Sequence, residues 1–306
     1  MPQPNRRRFL TISAAALGAA ALPRPAIAMR QWRGVAMGAG ASITLAHPDA
    51  DRIIARARAE IARLEAVFSL YDARSALSRL NARGRLEAPP FEMLDCLGLC
   101  DAVNAATLGL FDPTVQPLWA LYAEAHARGT APDAGAIAAV LPRVGWPGVR
   151  VDSAAITLRP GMALTLNGVA QGYVADRVAT LLAAEGLTDI LVNTGEFRAL
   201  GGAPEGGDWP VALVAGGKER ASVALRDRAL ATSAPMGTVF DAEGRVGHIL
   251  HPGTGRPAPA RWQMVSVTAP QAALADALTT AFCLMDRPAI DAALARFPAA
   301  RLVFAG

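Results

Sequence analysis

The chain has 306 residues, 52% of them hydrophobic and 18% charged, so it can bury a sizeable core and is not a disordered chain. Its formal net charge is +4, but residues 1–28 carry four arginines and no acidic residue, which leaves 26 basic and 26 acidic residues in the remainder. That remainder is neutral and contains a single lysine, Lys218, so it has no basic cluster for a row of phosphates, and a nucleic acid partner is excluded.

Residues 1–28 have the pattern of an export signal. Arg6-Arg7-Arg8-Phe9-Leu10 precedes an apolar stretch over 12–22, and Ala26-Ile27-Ala28 has the small-x-small form of a signal-peptidase site. The apolar stretch is well short of the ~20 residues that span a bilayer, and no other segment qualifies, so no transmembrane segment is predicted. The twin arginines are similar to a Tat signal. We predict a cleaved twin-arginine signal peptide over 1–28, a periplasmic location, and a domain over 29–306.

Strand and helix patterns alternate along residues 29–306. Residues 32–45 end in an alternation typical of a half-buried strand, and apolar residues recur at helical spacing from Asp49 to Phe68. Later patterns predict a helical turn over 75–81, helices over 90–107, 168–185, 272–285 and 288–296, and a helical, proline-punctuated stretch to about 145. They predict strands near 149–151, 155–158, 162–166, 190–192, 199–200, 210–214, 222–225, 247–250, 263–269 and 301–304. This mixed order predicts one compact α/β (mixed α+β) domain in which mixed sheets are flanked by helices.

The three cysteines form an odd set, which argues against a disulfide framework in an exported protein. Cys96 and Cys100 lie four residues apart on a predicted helix and share one face. No histidine or further cysteine stands at metal-ligand spacing from them. We predict that both are small buried residues, and that Cys283 is a third.

One predicted helix carries a candidate metal site. Asp276 and Thr280 lie four residues apart, so a carboxylate and a hydroxyl converge on one point of the helix surface. Hard Mg²⁺ prefers such oxygen ligands, with phosphates and water completing its octahedron. An aspartate early in a helix is also ordinary, because it complements the macrodipole. The segment alone leaves both interpretations open.

Two further segments have weak functional patterns. Gly168 and Gly172 lie where a predicted strand leads into a helix, an arrangement that can cradle an anion but that also serves close packing. His248 precedes a turn rich in proline and glycine, where its imidazole could meet a phosphate or an attacking hydroxyl, or serve only the turn. Neither segment identifies an activity alone.

Together and in this order, these segments resemble the ApbE family, the FAD:protein FMN transferases. The matching stretches are Met37-Gly38, Ser69-Leu70-Tyr71 with 75–81, Phe111-Asp112-Pro113-Thr114, 168–173 with Asp176, 192–196, 231–233, 248–257, and 266–268 with 275–277. The resemblance covers most of residues 29–306. It implies Mg²⁺-dependent transfer of the FMN half of FAD to a threonine hydroxyl of a periplasmic or membrane-bound flavoprotein acceptor, with release of AMP.

The resemblance also implies residue roles. Asp276, Thr280 and the backbone carbonyl of Gly168 would hold the metal. His248 is the candidate base, and with Asp276 it forms the predicted catalytic pair. The residues expected to contact FAD are Met37, Tyr71, Leu110, Phe111, Asp112, Thr165, Gln171, Asp176, Ser233, His248 and Leu250.

Three stretches depart from the family pattern. The usual D-L-G-G-[IV]-A-K-G reads T-L-N-G-V-A-Q-G over 165–172, which replaces a carboxylate by Thr165 and a lysine by Gln171. The usual S-G-x-Y reads S-A-P-M over 233–236, and G-G-[DN] reads Thr194-Gly195-Glu196. The carboxylate and the lysine are lost together, so the two charge changes compensate. Asp276, Thr280, Tyr71 and His248 remain, and we therefore interpret the chain as an active variant. Two alternatives remain open: hydrolysis of FAD to FMN and AMP, and non-catalytic binding of FAD in the periplasm.

Overall fold

The computed structural model describes residues 30–45, 47–203 and 206–306. Its strands are β1 (Arg30–Ala36), β2 (Ala39–Leu45), β3 (Arg85–Glu87), β4 (Val149–Val151), β5 (Ala155–Leu158), β6 (Ile190–Asn193), β7 (Phe197–Leu200), β8 (Trp209–Ala215), β9 (Lys218–Leu225), β10 (Ala229–Ser233), β11 (Val265–Ala269) and β12 (Arg301–Ala305). Its α-helices are α1 (Ala50–Phe68), α2 (Ala76–Arg83), α3 (Phe91–Ala106), α4 (Gln116–Ala127), α5 (Ala134–Val140), α6 (Ala170–Ala184), α7 (Ala272–Phe282) and α8 (Arg287–Leu294).

Seven strands form the main sheet, in the order β1-β2-β6-β7-β10-β11-β12. Every neighbouring pair in it is antiparallel. A three-stranded sheet, β3-β5-β4, and the β8-β9 hairpin complete the strands of the described residues. The predicted mixture of helices and sheets in one compact domain is confirmed.

Helix α7 is buried in the centre of the molecule. It packs against β10, β11, α6 and α3, and all its residues except Thr280 are buried. Its sequence, AALADALTTAF, explains this, because a helix that is apolar on nearly every face is stable only when covered on every face. Asp276 is its single charged residue, so the fold places one carboxylate deep inside the protein.

Some local predictions are wrong. The single strand expected over 32–45 is a hairpin of β1 and β2, turned at Met37 and Gly38, which have φ angles of +51° and +82°. Residues 162–166 form no strand, because the side chain of Asn81 bonds the backbone of Leu164 on both its N–H and its carbonyl, at 2.7 and 2.8 Å. Residues 247–250 form only isolated bridges. Strands β3 and β10 were not predicted.

The predictions for the three cysteines are confirmed. Cys96, Cys100 and Cys283 are free and buried. Within the described ranges, no helix has the length and apolar character needed to cross a membrane. The signal peptide predicted over 1–28 lies outside the described residues and stays a prediction.

Candidate active site

A cavity of about 550 Å³ lies between the main sheet, the N-terminal end of α6 and the face of α7 that carries Asp276 and Thr280. Its volume is within the usual range for small-molecule sites. The lining comes from the β1-β2 turn, the segment after α3, the segment before α6, the β6-β7 turn, and the loops that follow β10. Asp276 and Thr280 contribute from α7. Segments distant in sequence therefore converge on one pocket.

The three predicted metal-binding residues meet in this cavity. Asp276 and Thr280 both line it, one helical turn apart on α7. Gly168 lies directly against them, since a Cβ added at Gly168 would stand 2.8 Å from the Thr280 Oγ1. Gly172 brings α6 still closer to α7, and its N–H donates to the Asp276 Oδ2 at 3.3 Å. The glycines thus allow the backbone before α6 to approach the carboxylate and the hydroxyl.

Two buried carboxylates line the same cavity. Asp276 is 3% exposed, and burial raises its pKa to about 7, with a smaller contribution from the charge of Asp176. Glu196 is 7% exposed, and burial together with the charge of Asp276 raises its pKa well above the usual range. Neither Asp276 nor Glu196 takes part in an ion pair with any described residue. A bound cation would offset the electrostatic cost of burying these two carboxylates without a positively charged partner.

The donor set fits a hard cation such as Mg²⁺. The described residues contain no group of three or more His, Cys, Asp or Glu that could hold a metal ion, so a zinc-type cluster does not occur there. A carboxylate, a hydroxyl and a backbone carbonyl are all oxygen donors, and Mg²⁺ completes its octahedron with water and substrate phosphates. No lysine or arginine lines the cavity within the described residues. An anionic ligand would therefore meet only negative and neutral side chains unless a cation accompanied it.

His248 reaches the cavity from the loop after β10, in a defined tautomeric form. Its Nδ1 lies 3.0 Å from the carbonyl oxygen of Thr238. Because a carbonyl only accepts hydrogen bonds, this contact suits the neutral tautomer with the proton on Nδ1, in which Nε2 is the acceptor. Burial lowers the pKa of His248, against the opposing effect of the Thr238 and Pro235 carbonyls. The ring is therefore neutral near pH 7 and able to accept a proton.

Asp112 lines the cavity but is already engaged by three donors. Its Oδ1 accepts the N–H and the hydroxyl of Thr114 at 2.8 and 2.6 Å, and its Oδ2 accepts the N–H of Trp146 at 3.0 Å. Burial raises its pKa, against the effect of these bonds. Asp112 therefore anchors the segment that carries Leu110 and Phe111 along the cavity wall.

The remaining predicted contacts in the cavity are held by neighbouring elements. The Thr165 N–H donates to the Pro113 carbonyl at 2.8 Å. The Gln171 carbonyl accepts the Thr194 hydroxyl at 3.0 Å, which ties the start of α6 to the β6-β7 turn. The hydroxyl of Ser233 lies 2.9 Å from that of Thr279 on α7. Leu250 also lines the cavity.

Three predicted contacts lie outside the cavity lining. Met37 is half-buried beside the lining residue Gly38, and its N–H donates to a Glu65 carboxylate oxygen at 2.9 Å. Tyr71 is 74% exposed. Asp176 accepts the first two N–H groups of α7, at 2.9 and 3.0 Å, and pairs with Arg198 at 3.4 Å. In this geometry Asp176 caps α7.

The sequence analysis assigned no role to several lining residues. Glu196 was noted only as a departure from the family pattern. Its position after a glycine, in a turn between two predicted strands, was the sequence feature that could have indicated a site residue. The apolar lining residues Trp119, Phe197 and Leu213 had no local signal, since apolar residues on strands and helices are most often core residues.

Comparisons with known proteins show the family to which the chain belongs. The model of the ApbE family matches residues 37–304. A FAD:protein FMN transferase of Klebsiella pneumoniae is 30% identical over 253 residues, which cover 77% of this chain and 72% of that protein. One from Escherichia coli is 30% identical over 236 residues, covering 72% and 67%. The chain therefore belongs to the ApbE family.

Solved structures show the same fold. The ApbE protein of Thermotoga maritima superposes with a TM-score of 0.80 and 26% identity, covering 90% of this chain and 93% of that one. The flavin transferase ApbE from Vibrio cholerae superposes with a TM-score of 0.78 and 24% identity, covering 89% and 91%. The expected family is confirmed.

Proposed function

We propose that this protein is a Mg²⁺-dependent FAD:protein FMN transferase, which attaches the FMN half of FAD to a threonine hydroxyl of a flavoprotein acceptor and releases AMP. The observation that carries this proposal is the convergence of Asp276, Thr280, Gly168 and the neutral His248 on one cavity, which no described lysine or arginine lines. A dinucleotide with a charged pyrophosphate binds there only if a cation accompanies it.

Each residue has a specific task in this reaction. Asp276, Thr280 and the Gly168 carbonyl hold the magnesium ion, which neutralises pyrophosphate charge when bound. His248 accepts the proton of the acceptor hydroxyl at Nε2, while its Nδ1–H stays bonded to the Thr238 carbonyl. The threonine oxygen forms a bond to the FMN phosphorus as the bond from that phosphorus to the AMP oxygen breaks.

The flavin and the acceptor use other parts of the cavity. Leu110, Phe111 and Leu250 supply apolar walls, and Thr165, Gln171 and Ser233 supply polar groups for FAD. Met37 lies beside the lining residue Gly38, and Tyr71 is exposed outside the lining, so we assign both to the part of the flavin that extends out of the pocket. The exposed face of Tyr71 is free to stack on an aromatic ring.

An FMN-transfer assay tests the proposal. The protein is incubated with FAD, Mg²⁺ and candidate acceptor domains, and covalent FMN is detected by mass spectrometry. Asp276→Asn keeps the side-chain shape and should reduce transfer by on the order of 100-fold or more, because a neutral amide holds Mg²⁺ poorly. Asp291→Asn, on exposed α8, is the matched control and should leave transfer unchanged.

The same assay separates the alternatives. Free FMN and AMP produced without an acceptor would show hydrolysis, and FAD that stays intact with Mg²⁺ present would show binding alone. Absence of covalent FMN on every acceptor would refute the transferase proposal.

The proposed site of action is the periplasm. The support is the sequence of residues 1–28, with its twin arginines, short apolar stretch and small-x-small ending. Replacing Arg6 and Arg7 by lysine should retain the protein in the cytoplasm, as measured by cell fractionation and immunoblotting. Unchanged export of that variant would contradict the twin-arginine assignment.

A further inference from the structure

Glu196 is a buried carboxylate for which the proposed reaction has so far given no role. It follows the β6-β7 turn, where Gly195 has a φ of +106°, and it lines the same cavity as Asp276. One of its carboxylate oxygens, Oε2, accepts the Thr232 N–H at 3.2 Å. No donor among the described residues reaches the other oxygen, Oε1. This acid is 93% buried, and one of its oxygens is left for a partner that the described residues do not supply.

Asp276 has the same incomplete pairing. Its Oδ2 takes one long bond from the Gly172 N–H, and Oδ1 has no donor among the described residues. Two acids therefore line one cavity, each held by a single backbone N–H and each with one oxygen uncommitted. The other acid of the lining, Asp112, differs from them because three donors already satisfy it.

The neighbouring basic residue is committed elsewhere. Arg198, on β7, stands two positions after Glu196, which directly precedes that strand. Its guanidinium pairs with Asp176 at 3.4 Å and donates to the Ala199 carbonyl at 2.5 Å. No described lysine or arginine lines the cavity. Two close acids without a basic partner repel each other, and the effect of the Asp276 charge on the Glu196 pKa is consistent with that repulsion.

Position 171 strengthens this argument. A Cβ added at Gly195 would lie 3.0 Å from the Gln171 Oε1, so the Gln171 amide lies beside the turn that carries Glu196. Gln171 is neutral, so the side chain beside this turn supplies no positive charge to Glu196.

We propose that Glu196 supplies a second carboxylate, besides that of Asp276, to the divalent cation site of the cavity. This inference rests on the proposed function only for the identity of the cation. Glu196 adds negative charge at the pocket from the sheet side, while Asp276, Thr280 and Gly168 act from the helix side.

The test is Mg²⁺ binding to the otherwise ligand-free protein, followed by isothermal titration calorimetry. Glu196→Gln keeps the acceptor for the Thr232 N–H and removes the charge. It should weaken Mg²⁺ binding about 10–100-fold, the usual effect of altering a group that supports a metal site. Glu219→Gln, on the exposed part of β9, is the matched control and should bind Mg²⁺ as the wild type does.

Thermal unfolding separates a cation-binding role from a purely structural one. Without metal, Glu196→Gln should unfold at the wild-type temperature or above it, because a buried acid that is costly to ionise beside Asp276 is replaced by a neutral amide. With Mg²⁺, the rise in Tm should be smaller than for the wild type. A structural role predicts the opposite, namely a lower Tm without metal and an unchanged rise with it, and that result would overturn the inference.

Gln171→Lys gives an independent check. The introduced ammonium group should weaken Mg²⁺ binding, and part of that loss should disappear in the Glu196→Gln background, because the lysine then has no carboxylate to neutralise. Losses that simply add would contradict a contribution of Glu196.

The outcomes also separate this inference from the transferase proposal. Mg²⁺ binding that depends on Glu196 would uphold it even if no FMN transfer occurs. Wild-type Mg²⁺ affinity in Glu196→Gln, with affinity lost in Asp276→Asn, would overturn the role of Glu196 and leave the cation site in place.

Discussion

The close contact between α6 and α7 makes a strong prediction for Gly172→Ala. A Cβ at this position would lie 2.3 Å from the Ala272 carbonyl oxygen and 2.6 Å from the Ala273 nitrogen. Both atoms are backbone, so no side-chain rotation relieves the overlap. The first turn of α7 must move away by roughly 1 Å to restore ordinary contact. That movement also disturbs the bonds from Asp176 to the α7 N–H groups.

Two opposing effects set the magnitude. Replacing glycine by alanine within a helix stabilises it by at most about 1 kcal/mol. Forcing extra volume into a packed site costs about 1–3 kcal/mol, and rigid backbone places this case at the upper end. The unfavourable overlap therefore exceeds the helix-propensity gain by about 2 kcal/mol, which corresponds to a fall in Tm of about 3–4 °C for a protein of this size.

Thermal unfolding followed by circular dichroism measures this effect, with Gly98→Ala as the matched control. Gly98 lies within α3, and a Cβ there would meet nothing within 4 Å, so its replacement should raise the Tm slightly. Gly172→Ala should also reduce FMN transfer, because Asp276 and Thr280 move with α7. If Gly172→Ala were as stable as Gly98→Ala, the reasoning from helix contact would be refuted.

Two further predictions concern titration and hydrogen bonding. Because burial lowers the pKa of His248 from 6.5, the unfolded chain binds that proton first as pH falls, so the unfolding free energy decreases below about pH 6.5. His248→Gln should make this decrease shallower in urea unfolding at a series of pH values, and an unchanged slope would contradict it. Asp112→Asn should lower the unfolding free energy by about 1–3 kcal/mol, because its single amide oxygen can serve either Thr114 or the Trp146 N–H, and its amide nitrogen accepts no hydrogen bond. A stability equal to the wild type would show that these bonds are dispensable.

Local patterns in the sequence predicted a large part of the fold. The apolar spacing of α1 and the absence of charge from α7 except at Asp276 predicted both helices, because helical periodicity is a short-range property. Residues 162–166 look like a strand but lack a sheet partner, and Asn81, more than 80 residues away, satisfies their backbone. A hydrogen bond between segments so far apart in the sequence cannot be predicted from a local residue pattern.

The sequence by itself determined that Asp276 and Thr280 share a helix face, and that the excess positive charge belongs to residues 1–28. Only the tertiary structure decided which acids surround the cavity. It brought Glu196 from a strand turn to the same pocket as Asp276 and directed Asp176 to the start of α7. The physical reason is that helical spacing is set within a few residues, whereas the electrostatics of a buried site depend on which distant segments the sheet order places together.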